Sequence, residues 1–144
     1  MMAKDDRLRV AVDDAYVAAL GRATFVFAIL EWNAVWCAEH LSPGFLNGIA
    51  KKTAGKIAVD FLALVEKITD PALKAGCKPP AIEFKRLVNI RNGILHGKPG
   101  TAPDGAQRLF RDGTAWSPEA IDSAADEFAA CGIQLNALLH NQLR

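Results

Sequence analysis

Between Phe25 and Trp36 the chain reads FVFAILEWNAVW, and wound as a helix this stretch is apolar around nearly its whole circumference. A helix without a polar face is surrounded by protein. A chain of 144 residues has room for one core and not for two, and each helix of so small a domain ordinarily keeps one wet side. Two coverings are open: a later loop or hairpin of the same chain, or a second chain. An apolar patch of this kind ordinarily marks an interface, so the segment predicts a two-fold homodimer. The most apolar run, Ala23 to Cys37, is shorter than the ~20 residues of a bilayer span, and Glu31 and Asn33 interrupt it. The N-terminal MMAKDDRLRVAVDDAY is charged and lacks the apolar centre of a signal peptide. The expectation is a soluble cytoplasmic protein with no membrane partner.

Nothing breaks a helix from about Val12 to Glu39 except Gly21, and His40 to Gly44 then form a turn. A second helix over roughly Lys52 to Ile68 places Ile57, Phe61, Leu64, Val65 and Ile68 on one face. Cys77-Lys78-Pro79-Pro80 suits the first turn of a third helix ending near Gly97. The following KPGTAPDGAQRLFRDGTAW is too rich in proline and glycine for a helix, and Asp112-Gly113 is a two-residue hairpin signal between QRLFR and TAW. Ser117-Pro118-Glu119 supplies the N-cap, first-turn proline and first-turn acid of a last helix, which Ile121, Ala125, Phe128, Gly132, Leu135 and Leu139 continue. The pattern predicts an all-α fold: one domain over residues 1–144, an antiparallel up-and-down four-helix bundle with a small β-hairpin before the last helix.

Hydrophobic residues at 51% and charged residues at 23% exclude disordered and low-complexity classes. The net charge of +1 hides a division. Residues 81–111 carry six Lys/Arg against two Asp/Glu, and residues 112–144 carry one against five. The basic block comprises Lys85, Arg86, Arg91, Lys98, Arg108 and Arg111, either solubilising charge or the lining of a phosphate groove. Cys37, Cys77 and Cys131 show no metal-ligand spacing and read as core residues or a loop thiol.

Chemistry concentrates in FKRLVNIRNGILHGKPG, Phe84 to Gly100. Phe84, Leu87, Val88, Arg91 and Leu95 fall in one helical stripe, so Arg91 sits where the pattern asks for leucine. A guanidinium there needs a partner, and Glu31, the one acid in the apolar part of the first helix, is the candidate. Asn92 and His96, four apart, share a face at the edge of that stripe. An amide there can hold one ring nitrogen and leave the other for proton transfer. An imidazole ordinarily titrates close to neutral pH, as a general acid or base requires.

At RNGILH, Arg91 to His96, the sequence resembles the HEPN superfamily, whose motif is Arg, four to six residues, then His, with a polar residue after the Arg in many members. The late helix in a short helical chain, followed by a hairpin and the WSPEAIDSAADEF helix, is similar too. The resemblance implies endoribonuclease activity without metal or cofactor, at a composite site where two protomers bring their Arg and His together. It implies His96 as acid and base, Arg91 as phosphate stabiliser or site organiser and Asn92 as orienting group. The basic residues Lys85, Arg86, Lys98, Arg108 and Arg111 would bind RNA, and the products would be a 2′,3′-cyclic phosphate and a 5′-hydroxyl. It also implies a toxin or defence setting with an antitoxin or other partner protein. Lys98 stands where toxins paired with nucleotidyltransferase antitoxins often carry tyrosine, a departure from that route. The alternative within the resemblance is a non-catalytic binding or dimerisation module.

Other features read more plainly. His40 and His140 lie near helix ends, and Thr53 to Lys56, TAGK, lacks the preceding glycine and strand of a phosphate loop. Trp32 and Trp36 share a face suited to packing rather than base stacking, and Asp5-Asp6 and Asp13-Asp14 suit a solvated helix start.

Overall fold

The computed structural model describes residues 10–144, so the Asp5-Asp6 pair lies outside the described residues. The chain is mostly helical with one small antiparallel sheet. Helix α1 spans Asp14–Leu41, a 3₁₀ helix Phe45–Lys51, α2 Ala54–Glu66 and α3 Pro71–Leu95. Strands β1 (Lys98–Thr101), β2 (Gln107–Arg111) and β3 (Thr114–Ala115) follow, and α4 spans Pro118–His140.

Side-chain caps set the helix starts. Asp13, Thr53, Asp70 and Ser117 accept from the backbone N–H groups of Tyr16, Lys56, Ala72 and Ala120. From the last turn of α1 the Glu39 carboxylate reaches forward and accepts from Leu46 N at 2.9 Å and Gly44 N at 2.8 Å, which pull its pKa below the ordinary range.

The third helix corrects the reading from Pro79. It starts about two turns earlier, with Asp70 as cap and Pro71 in its first turn. Pro79 and Pro80 lie inside it. Their missing N–H groups leave the carbonyls of Ala75 and Gly76, both exposed residues, to water, and packing of Pro80 in the core offsets the loss.

Helix α1 packs along α4 and α2 along α3, with further α3–α4 and α1–α2 contacts. At the centre Phe27 stacks on Phe84 with ring centroids 6.2 Å apart and meets Phe128 edge-on at 5.2 Å. All three cysteines are buried and free, and burial pushes the Cys37 and Cys131 thiols up to about 12.

The uniformly apolar α1 has two separate faces. Tyr16, Ala23, Phe27, Leu30 and Ala34 enter the core, whereas Phe25, Ile29, Trp32 and Trp36 form an exposed stripe, with Phe25 69% exposed. Among the described residues neither the following loop nor the sheet covers that stripe. As formed, α1 has 28 residues and an 18-residue window of mean hydropathy 1.3, so by length and composition alone it is able to cross a membrane.

The sheet exceeds the expected hairpin by one strand. Asp112 and Gly113 both take positive φ in the turn joining β2 to β3, as Asp-Gly predicts. The KPGT segment pairs as β1 with β2, Pro99 opposite Leu109. β1 is an edge strand, where a missing N–H is tolerated. The Tyr16 hydroxyl donates to Trp116 O at 2.7 Å and accepts from Leu109 N at 3.1 Å, tying the sheet to the start of α1.

Candidate functional site

The last turns of α3 hold the motif. Phe84, Leu87, Val88 and Ile94 are buried in the core, while Leu95, expected in the same stripe, is exposed at the final turn. Arg91 keeps its place in the stripe with its side chain 21% exposed. Its guanidinium carbon lies 4.6 Å from the centroid of the Phe27 ring, and Nη2 is 3.9 Å from the Glu31 carboxylate. The buried Nε–H has no acceptor among the described residues. Partial burial raises the Glu31 pKa, opposed by the Arg91 charge. Arg91 and Glu31 therefore do meet, in a loose pair seated on the aromatic centre of the core.

His96 is the C-cap of α3, with φ −98° and ψ 15°, and its side chain is exposed. Its backbone N–H donates to Asn92 O at 2.9 Å. The expected bond from the Asn92 amide to the imidazole is absent among the described residues, although the two side chains stand one helical turn apart and line the same clefts.

Two clefts share Asn92 and His96. One, of about 390 Å³, runs to the hairpin and is lined by Gly93, Lys98, Phe110, Arg111, Asp112 and Gly113 as well. The other, of about 560 Å³, runs to the start of α2 and adds Glu31, Arg91, Lys52, Thr53, Ala54 and Gly55. A single imidazole thus stands between a hairpin cation and the Arg91–Glu31 pair.

The hairpin closes on α3 through glycine. Trp116 Nε1 donates to Gly93 O at 3.0 Å, and a Cβ on Gly97 would fall 2.8 Å from the Leu109 Cβ. Close approach of Leu109 to the end of α3 requires Gly97 to lack a side chain, whereas at Gly93 an added Cβ would meet the Arg111 side chain.

The basic block divides on folding. Lys98 and Arg111 line the cleft with His96. Lys85 is exposed on the helical line that runs through Asn89 and Asn92 to His96. Arg86 is turned away and held by Glu83 and Glu127. Arg108 pairs with Asp13 at 2.6 Å, lies over the Tyr16 ring and is 14% exposed, so it serves the sheet's attachment to α1. Asp13 is accordingly both a cap and an ion-pair partner, with its pKa lowered chiefly by the Arg108 bond.

Several cleft residues escaped the sequence reading. Thr53 to Gly55 belong to the TAGK string set aside as a failed phosphate loop, and they open α2 against Arg91 and His96. Lys52 sits beside them but is held by Asp60 at 3.0 Å and by the Phe45 ring. Phe110 and Gly113 carried no chemical signal beyond the turn itself. Among the described residues no group of three His, Cys, Asp or Glu side chains is placed to hold a metal ion.

Compared with protein-family models, curated proteins and solved structures, the chain finds no match.

Proposed function

We propose that the chain is a HEPN-type endoribonuclease acting as a soluble cytoplasmic homodimer, with its helices arranged as an antiparallel up-and-down four-helix bundle. The observation that carries this reading is the convergence of His96, Asn92, Lys98 and Arg111 on one open cleft, backed by Arg91 and Glu31 on the other side of the same imidazole. RNGILH supplies the motif resemblance, and the exposed apolar stripe of α1 supplies a face for a second copy.

In the proposed reaction one His96 takes the proton of a ribose 2′-hydroxyl as the 2′-oxygen bonds to the adjacent phosphorus. The P–O5′ bond breaks, and a protonated imidazole gives its proton to the leaving 5′-oxygen. The products are a 2′,3′-cyclic phosphate and a 5′-hydroxyl, and guanidinium groups stabilise the charge on the phosphorane. One chain brings a single histidine to this site; two-fold pairing supplies both the base and the acid. A toxin or defence role, with an antitoxin or other partner protein, goes with the family resemblance.

Single-stranded RNA incubated with the protein in EDTA is expected to yield cyclic-phosphate ends, and His96→Ala to abolish them. Cleavage that survives the substitution assigns the activity elsewhere. The non-catalytic module is favoured by one observation, the missing Asn92–His96 hydrogen bond. It requires that the pure protein cleave nothing and that His96→Ala leave partner affinity intact.

A further inference from the structure

The motif places Arg91 in the core, and the cleft beside His96 has another guanidinium. Arg111 leaves the end of β2 and crosses α3 at Gly93, where its Nη1 donates to Asn89 O at 3.2 Å. A Cβ built on Gly93 would fall 2.9 Å from both Cδ and Cζ of Arg111, too close for packed atoms. Gly93 is therefore the gap in the helix surface across which Arg111 reaches the cleft. The Trp116 indole, bonded to the Gly93 carbonyl, holds the hairpin in that position.

The two arginines differ in what they have left to offer. Arg91 lies against Phe27 and Glu31 and is 21% exposed. Arg111 is 49% exposed, uses Nη1 on Asn89 O, and among the described residues has as its acidic neighbour only Asp112, 3.9 Å from Nε and 95% exposed. So distant and wet a carboxylate is a weak competitor for a phosphate, which offers two oxygens to the guanidinium fork. Lys98, without an ion pair among the described residues, adds a second positive charge to the same cleft.

We propose that Arg111, rather than Arg91, contacts the RNA phosphate at His96, and that Gly93 within RNGILH is the opening that admits it. This rests on the nuclease reading above. Arg91 is then a positioning residue that fixes the end of α3 from the core side.

The test measures binding of a 2′-O-methyl RNA oligonucleotide, which lacks the nucleophile, over a range of salt concentrations, alongside cleavage of the matching RNA. Arg111→Ala is expected to bind about tenfold more weakly, with the salt slope shallower by about one. Arg111→Lys restores the slope but only part of the affinity, since a point charge lacks the fork. Gly93→Ala, which forces the Arg111 side chain off its path across α3, is expected to weaken binding by less than Arg111→Ala does while keeping its helical circular dichroism. Should that variant misfold, the exposed Arg111 substitutions carry the test. Arg91→Met is expected to bind as the unsubstituted protein does.

Unchanged affinity and slope in Arg111→Ala overturn the proposal; if His96→Ala still abolishes cleavage in the same series, the nuclease reading stands without it. If the protein cleaves no RNA but Arg111→Ala weakens binding as expected, the phosphate contact stands and the nuclease reading falls. Loss of binding in Arg91→Met alone returns the phosphate to Arg91.

Discussion

Arg91→Met separates a residue kept for the site from one kept for the fold. Methionine fills the volume of the arginine stem over Phe27 and removes the charge. The buried Nε–H without an acceptor goes with it, relieving a cost of about 1–3 kcal/mol. Against this stand the cation–π contact at 4.6 Å, worth about 0.5–1 kcal/mol in so partly exposed a setting, and an ion pair at 3.9 Å worth roughly 0–1 kcal/mol. The opposing contributions nearly cancel, and the variant is expected to unfold in urea within about 1 kcal/mol of the unsubstituted protein. Its kcat on RNA is expected to collapse while its RNA affinity holds.

Glu31 adds a pH signature to the same experiment. Its carboxyl is already raised by burial, and the Arg91 charge is what opposes the rise. Without Arg91 it titrates higher still. An acid whose folded pKa is raised contributes stability that is present at low pH and lost as pH climbs through that pKa. Arg91→Met should therefore lose stability on going from acid toward neutral pH, and adding Glu31→Gln should remove the loss. A destabilisation above about 3 kcal/mol at neutral pH, or no difference between the single and double variants across pH, would refute this account and make Arg91–Glu31 a structural ion pair.

The exposed stripe of α1 predicts that Phe25→Glu combined with Trp32→Glu converts a dimer to a folded monomer in sedimentation at micromolar concentration; an unchanged mass would place the dimer contact elsewhere. Glu39 is held below the ordinary carboxylate range by the backbone N–H groups of Leu46 and Gly44, so its stabilisation is present at neutral pH and lost as pH falls through its lowered pKa. Glu39→Gln should lower the urea midpoint at about pH 7 and shrink the difference from the unsubstituted protein by about pH 3, and parallel curves would refute that role. The three buried cysteines should resist a thiol reagent in the native protein and react together on unfolding. Rapid labelling of even one would show that its cover opens locally.

What could be read from the sequence follows from the range over which each signal acts. Ser117-Pro118 marked the start of α4 and Asp112-Gly113 the turn, because a cap and a left-handed turn are decided within four residues. Pro79-Pro80 misled for the same reason. Locally they look like a helix start, but burial of Pro80 and exposure of the two orphaned carbonyls, both set by the tertiary structure, keep them inside α3. Periodicity brought Arg91 to Glu31, since each was the charged exception on an apolar helix. It could not sort the basic block. Arg108 and Arg111 lie three apart on one short strand, yet Asp13, ninety-five residues earlier, takes the first and Gly93 opens a path for the second. Glycine inside a helix is itself a local anomaly, costing about 1 kcal/mol relative to alanine. In RNGILHG that cost falls at Gly93, on the face that meets the hairpin, whereas Gly97 lies just past the C-cap. The reason for a glycine at position 93 required knowing which side chain crosses there.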